Sequence, residues 1–191
     1  LERPADGDQF KQTDERGVYG LDASHAWSHR LGAFDVRSEI GTALRHDRIR
    51  VGLFDSVARV PTATVREDEV HETLAGLYGQ SAVQLTPTLR AVLGLRADHV
   101  RSRVDALTLA ANGGTSSGTQ VSPKLSLVFG PFASLAKTEF FVNAGRGLHS
   151  NDARGTTATI EPKSGDPVAK VPPLVASRGF ELGARTEALP G

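Results

Sequence analysis

Three groups of residues in this sequence are of types that could do chemistry. Gly145-Arg146-Gly147 sets a base between glycines, as a phosphate-cradling loop does. It lacks the full GxGxxG or Walker spacing and no helical pattern follows it, so it reads as a strand end that needs small residues. His149-Ser150-Asn151-Asp152 gathers the residue types of a hydrolase triad. A triad is defined by spatial geometry and not by adjacency, and no nucleophile elbow is present. Asn and Asp there read as a turn at the start of a loop, bonding their own backbone. His149, Ser150, Asn151, Asp152 and, just beyond, Arg154 are therefore candidates for touching a ligand from a loop, not for catalysis. The six histidines, His25, His29, His46, His71, His99 and His149, are scattered. His25 and His29 can share a face of a helix or a strand, but no third ligand accompanies them, so no metal site is expected. No cofactor is expected either.

Composition narrows the remaining classes. The 191 residues carry 22 basic and 22 acidic side chains, which gives no basic footprint for nucleic acid. With no cysteine, disulfide frameworks, thiolate zinc sites and iron–sulfur clusters are excluded. No apolar run approaches the about 20 residues of a spanning helix. The chain has no methionine and opens Leu1-Glu2-Arg3-Pro4, so it is expected to be a piece of something larger.

The elements that must hold these residues follow a period of two. Leu89, Ala91, Leu93, Leu95 and Ala97 alternate with Arg90, Val92, Gly94, Arg96 and Asp98. The same split recurs at Val36–Arg45, Val121–Gly130, Glu139–Gly145 and Phe180–Arg185, and less cleanly at Val18–Ser28 and Glu72–Leu85. That predicts seven strands and no helix of consequence. The connections at 30–33, 86–88 and 131–137 read as short; those at 50–68, 102–120 and 150–174 read as long. Strict short–long alternation is the habit of outer-membrane barrels, with tight periplasmic turns and long extracellular loops. Trp27, Phe34, Phe129, Phe132 and Phe140 gather beside the short connections, where a barrel places an aromatic girdle. Tyr19 and Phe180 are all that the other rim offers.

The predicted fold is all-β: an antiparallel, up-and-down transmembrane β-barrel wall segment of about seven strands, with strands long enough to project beyond the membrane. Seven strands cannot close antiparallel, so the barrel is incomplete. One face carries Leu, Val, Ala and Phe for lipid. The other, lumen-facing, carries Glu39, Arg45, Arg96, Asp98, Lys124, Glu139, Asn143, Glu181 and Arg185 among glycines. These charges are expected to pair with one another and to dock whatever fills the lumen.

Three strings, "VSPKLSLV" (Val121–Val128), "EFFVNAGRGLHSND" (Glu139–Asp152) and "SRGFELGART" (Ser177–Thr186), in that order, resemble the β-barrel of TonB-dependent outer-membrane receptors. "LYGQSAVQLTPTLRAVLGLRAD" (Leu77–Asp98) and "ALRHDRI" (Ala43–Ile49) support the likeness, which covers about residues 43–186. The resemblance implies a barrel of about 22 strands around an N-terminal plug, located in the bacterial cell outer membrane. It further implies TonB-energised uptake of a scarce nutrient, commonly an iron–siderophore complex or other small-molecule or metal-chelate ligand. The implied partners are outer-membrane lipid, the receptor's own plug domain and the TonB complex. Residues 1–191 read as one partial barrel domain containing no plug, no TonB-interacting box and no final aromatic-ended strand. The alternative is a soluble antiparallel β module that binds ligand with its long loops. An enzyme is not expected.

Overall fold

The computed structural model describes residues 8–187. They form one sheet of seven antiparallel strands in chain order: β1 (Asp8–Leu31), β2 (Phe34–Val57), β3 (Val60–Thr86), β4 (Leu89–Ala106), β5 (Gly114–Phe132), β6 (Thr138–Ser150) and β7 (Leu174–Arg185). Each strand pairs only with its chain neighbours, and among the described residues the sheet does not close on itself. A five-residue helix, α1 (Ala153–Thr157), lies in the one long connection.

All seven predicted strands are present, but they are longer than the alternation marks. β1 and β2 each run 24 residues and β3 runs 27, well beyond the 9–11 that cross a bilayer. Two of the three predicted long loops are therefore corrected. Residues 50–68 continue β2 and β3 around a two-residue turn, Ala58-Arg59, whose φ values are 48° and 69°. A mirror-image hairpin turn needs positive φ at both central positions, here without asparagine or glycine. Residues 102–120 likewise belong mostly to β4 and β5, leaving only 107–113 as connection. The loop at 151–173 is long, as predicted.

Register separates the faces, because directly paired residues share one and successive residues alternate. On the apolar face stand Phe34, Ile40 and Leu44 of β2, Leu93 and Leu95 of β4, Leu125 and Phe129 of β5, and Phe180 and Leu182 of β7. Nothing among the described residues covers them: Phe180 is 69% and Leu182 67% exposed. So much contiguous bare apolar surface is foreign to a wet sheet face and suits one that meets lipid. Trp27, Phe34, Phe129 and Phe140 lie on this face beside the short turns, and Phe132 packs against Phe140 at 6.3 Å.

The far edge of the apolar band is staggered. Its last members are Leu44, Ala75, Ala97, Val121, Ala144 and Phe180 on β2 to β7. Leu44 pairs with Ala75, but Ala97 pairs with Leu77, and Ala144 with Leu125 instead of Val121. The edge thus steps toward the short turns from β2 to β7, as tilted strands require if the lipid layer is level. Beyond that edge the hydrophobic phase inverts. Ile49, Val51, Val70, Val100 and Val104 point to the opposite face, while Arg48, Arg50, Arg101 and Arg103 point outward. Val70, Val104 and Ile49 form, with Ala153 of α1, a small buried core there.

Candidate functional site: the polar face and the loop across it

All nine residues predicted for the lumen share one face of the sheet. Glu39 is in register with Gln80, Gly94, Lys124, Gly145 and Gly179, and the remaining seven lie at even spacing along the same strands. Most are held by neighbours. Arg96 donates from Nε to Asp98 at 2.8 Å, and Asp98 is buried. Arg45 donates to Asp47 at 2.8 Å, Asn143 donates to Glu181 at 2.9 Å, and Arg185 bonds Glu139. Glu39 accepts from the Tyr78 hydroxyl at 2.9 Å and from Gln80 at 3.0 Å. Lys124 lies along the sheet over Gly94.

These long side chains lie flat because glycines make room for them. A Cβ built on Gly41 would stand 2.4 Å from the Tyr78 ring, and one on Gly76 would meet the Arg96 guanidinium at the same distance. The glycines interleaved in the polar face are thus seats for their cross-strand neighbours.

Sequence reasoning missed Tyr78, Gln80, Asp47, Arg16 and Glu72, all on this face. Asp47 receives Arg45 and, at 3.7 Å, Arg16; Glu72 accepts from Ser102 at 2.9 Å. A signal was present. Arg45/Asp47, Arg66/Asp68, Arg96/Asp98 and Arg103/Asp105 are each two residues apart, the spacing that puts opposite charges side by side on one strand face.

At the end away from the short turns, the 151–173 loop folds back over this face. Asn151 closes its base, its amide donating to the Pro173 carbonyl at 3.1 Å and its side chain to the Pro172 carbonyl at 2.7 Å. Asp152 caps α1 through the Arg154 amide at 2.9 Å and also binds the Arg154 guanidinium at 2.5 Å. The Arg154 side chain holds the Asp152 carboxyl below the usual carboxylate range, and Asp152 in return raises Arg154. α1 seats Ala153 on Val70 and Val104. Asn112, in the β4–β5 connection, is buried and clips the loop down: its Oδ1 accepts from the amides of Thr159 (2.9 Å) and Ile160 (3.0 Å). At the tip, Lys163 reaches Asp55 of β2 at 2.9 Å and sits 4.4 Å from the centre of the Phe10 ring of β1. Of the predicted ligand contacts, His149 lies on the polar face, Ser150 points to the other face, and Asn151, Asp152 and Arg154 belong to the loop. A cleft of about 1020 Å³ remains between the loop and β1–β3, lined in part by Phe10, Asp14, Arg66, Asp152, Arg154 and Lys163. Among the described residues no group of acids and histidines could hold a metal ion.

The family described as "TonB dependent receptor-like, beta-barrel" matches residues 3–189. The chain belongs to this family. Its place is accordingly the bacterial outer membrane, and the family is one of transporters, not enzymes. Among solved structures, the ferric citrate transporter FecA in its unliganded form is similar with a TM-score of 0.74 at 14% identity. The match covers 95% of this chain and 26% of the transporter, so the chain spans about a quarter of that protein's length. At that identity the likeness is one of fold. No curated protein matches the sequence. The soluble-module alternative is set aside by the family match.

Proposed function

We propose that this chain is a wall section of an outer-membrane receptor that takes up an iron–siderophore-type chelate, energised by the TonB complex. The observation that carries the reading is the 151–173 loop, folded over the charged face and leaving a cleft at the end away from the short turns. A ligand arriving from outside would meet that cleft before the lumen. Asp152 and Arg154, which line the cleft, are its contacts from this chain, with Ser150 and Asn151 setting the loop's base and His149 on the polar face outside the cleft lining. The solved ferric citrate transporter supports an iron chelate as the cargo class.

The lumenal residues have a different role. Glu39, Arg45, Arg96, Asp98, Lys124, Glu139, Asn143, Glu181 and Arg185 face the receptor's own plug domain. Most of their charge is met within the wall, so the plug can slide or rearrange against this surface without breaking strong ion pairs to it. Uptake then needs differential binding and an energy input, not bond chemistry.

The test is iron uptake by cells lacking other iron receptors and expressing the full-length protein. Radio-iron should enter as a siderophore complex or as ferric citrate, and deletion of TonB should abolish entry. Asp152→Asn with Arg154→Gln should lower uptake about tenfold while leaving the protein in the outer membrane. Entry that survives loss of TonB, or a receptor indifferent to every iron chelate, would sink the proposal.

A further inference from the structure

The four arginines that stand two residues before an aspartate do not bond it alike. Arg45 holds Asp47 with Nε and Nη2, each at 2.8 Å. Arg96 holds Asp98 with Nε at 2.8 Å and Nη2 at 2.7 Å, and Arg103 holds Asp105 with Nε at 3.1 Å and Nη2 at 3.0 Å. Arg66 reaches Asp68 through Nε alone, at 2.5 Å. Its Nη2 is fully buried and has no hydrogen-bond partner among the described residues. Arg66 is also the most buried of the four, its side chain 19% exposed against 38% for Arg96, the next. The arginine that most needs a full set of acceptors is the one that lacks it. A buried charged nitrogen left open has lost its water and gained nothing in return, so such an atom marks a place for a ligand.

Arg66 lines the cleft under the 151–173 loop. The other charged side chains of that lining are already engaged: Asp152 with Arg154, Lys163 with Asp55, Asp14 with Arg16, and Glu161 with the amides of Lys163 and Ser164. What stays open is one cationic donor, and its complement is an anionic oxygen. The wall of the cleft facing the sheet is the loop itself, between residues 152 and 163, so a small outward shift of the loop admits a ligand to Nη2.

We infer that Arg66 is the residue by which this receptor selects its cargo: Nη2 takes a carboxylate oxygen of the chelate that the metal leaves free, while Nε keeps Asp68. The cargo is then an iron chelate with an uncoordinated carboxylate, not a neutral one. A planar guanidinium can hold the wall with one nitrogen and the ligand with another, which the single nitrogen of lysine does poorly. The inference rests on the uptake reading above and narrows it.

The experiment measures binding of two radio-iron chelates to the full-length receptor in isolated outer membranes. One is ferric citrate, which carries carboxylate oxygens free of the metal; the other is a ferric trihydroxamate of zero net charge. The unaltered receptor should hold ferric citrate at least tenfold more tightly. Arg66→Gln should remove that preference, Arg66→Lys should remove most of it, and Arg103→Gln, on the outward face, should leave it intact. Arg66→Gln also strands the buried Asp68, so Arg66→Gln with Asp68→Asn restores a neutral pair, and the preference should stay lost there too. A preference regained in that double variant would mean that Arg66 only shapes the wall, which overturns the inference. Tighter binding of the neutral chelate by the unaltered receptor also overturns it and leaves the uptake reading standing, whereas binding of neither chelate removes both. Should a variant fail to assemble, the order of the two chelates on the unaltered receptor still decides the cargo class.

Discussion

Asn112 and Ile160, 48 residues apart, meet through both ends of one carboxamide: Nδ2 donates to the Ile160 carbonyl at 2.8 Å, and Oδ1 accepts from its amide at 3.0 Å. The side chain thereby imitates a neighbouring strand and ties down a loop that carries α1 and a bridge between Ile160 and Pro167. Replacing Asn112 with Ala would leave half-buried backbone groups of Thr159 and Ile160 without their partner, at no more than about 1–3 kcal/mol for each group. Hydrogen exchange on the full-length receptor should show amides 153–160 losing protection while the strand ladders keep theirs. Asn112→Asp retains the acceptor and loses the donor, so its effect should be intermediate. Unchanged protection in the alanine variant would show that the loop is held by something else.

The Ala58-Arg59 turn holds two non-glycine residues in the left-handed region, where L-residues are strained by roughly 1–2 kcal/mol each. Asparagine and glycine tolerate that geometry. The double substitution Ala58→Asn, Arg59→Gly should therefore stabilise the β2–β3 hairpin by about 1 kcal/mol, after allowing for glycine's greater freedom when unfolded. Slower exchange of the amides flanking the turn is the readout. Faster exchange would mean that the turn is not the strained element described.

Gly41 and Tyr78 form a seat and its occupant. Gly41→Val should expel the ring, break its bond to Glu39 and destabilise the wall by about 2 kcal/mol, in the range of an overpacked site. Removing the ring first should remove the clash. In a double-mutant cycle with Tyr78→Ala, Gly41→Val should have little further effect. Additive losses, followed by thermal loss of heat-modifiable mobility in gels, would contradict the pairing.

The loop should also respond to acid in one direction. The Asp152 carboxyl is held below its usual value by Arg154, so the folded loop binds that proton less readily than an unfolded one. Its contribution is fully present above the ordinary aspartate pKa of about 3.9 and is lost as pH falls through the lower, folded value. Loop protection should be flat from pH 8 to about 5 and decline only below about 4. Asp152→Asn should remove that acid-dependent part. A midpoint near neutrality would implicate a histidine instead.

How much of this could be read from the sequence depended on where lipid lies. Inside the band, one face is apolar and the other is not, so Leu89–Ala97 and Val121–Phe129 announce themselves by period two. Past Ala97 the alternation persists with its sense reversed: Val100 and Val104 turn to the face that α1 covers, where Val104 meets it, and Arg101 and Arg103 turn toward water. A phase inversion reads as the end of a strand, which is why residues 102–120 were expected to be a loop. The 50–68 stretch was misread for a second reason, because Ala58-Arg59 has none of the turn chemistry that marks a hairpin. Asp98 and Arg96 were legible as lumenal from spacing alone. Tyr78 was not, since its role exists only when Gly41 lies opposite it. Asn112 sat inside the 102–120 stretch expected to be a loop, and its burial depends on a segment 48 residues later.

Every ladder in the sheet joins strands that are consecutive in the chain, so contact order along the wall is low and each hairpin can be added to the one before. The Lys163–Asp55 contact spans 108 residues and obeys a different schedule. Its closure entropy can be met only after β2 through β6 have already brought the ends near one another. The strap across the mouth is thus the last piece to settle, and its protection from exchange during refolding would time the completion of the wall.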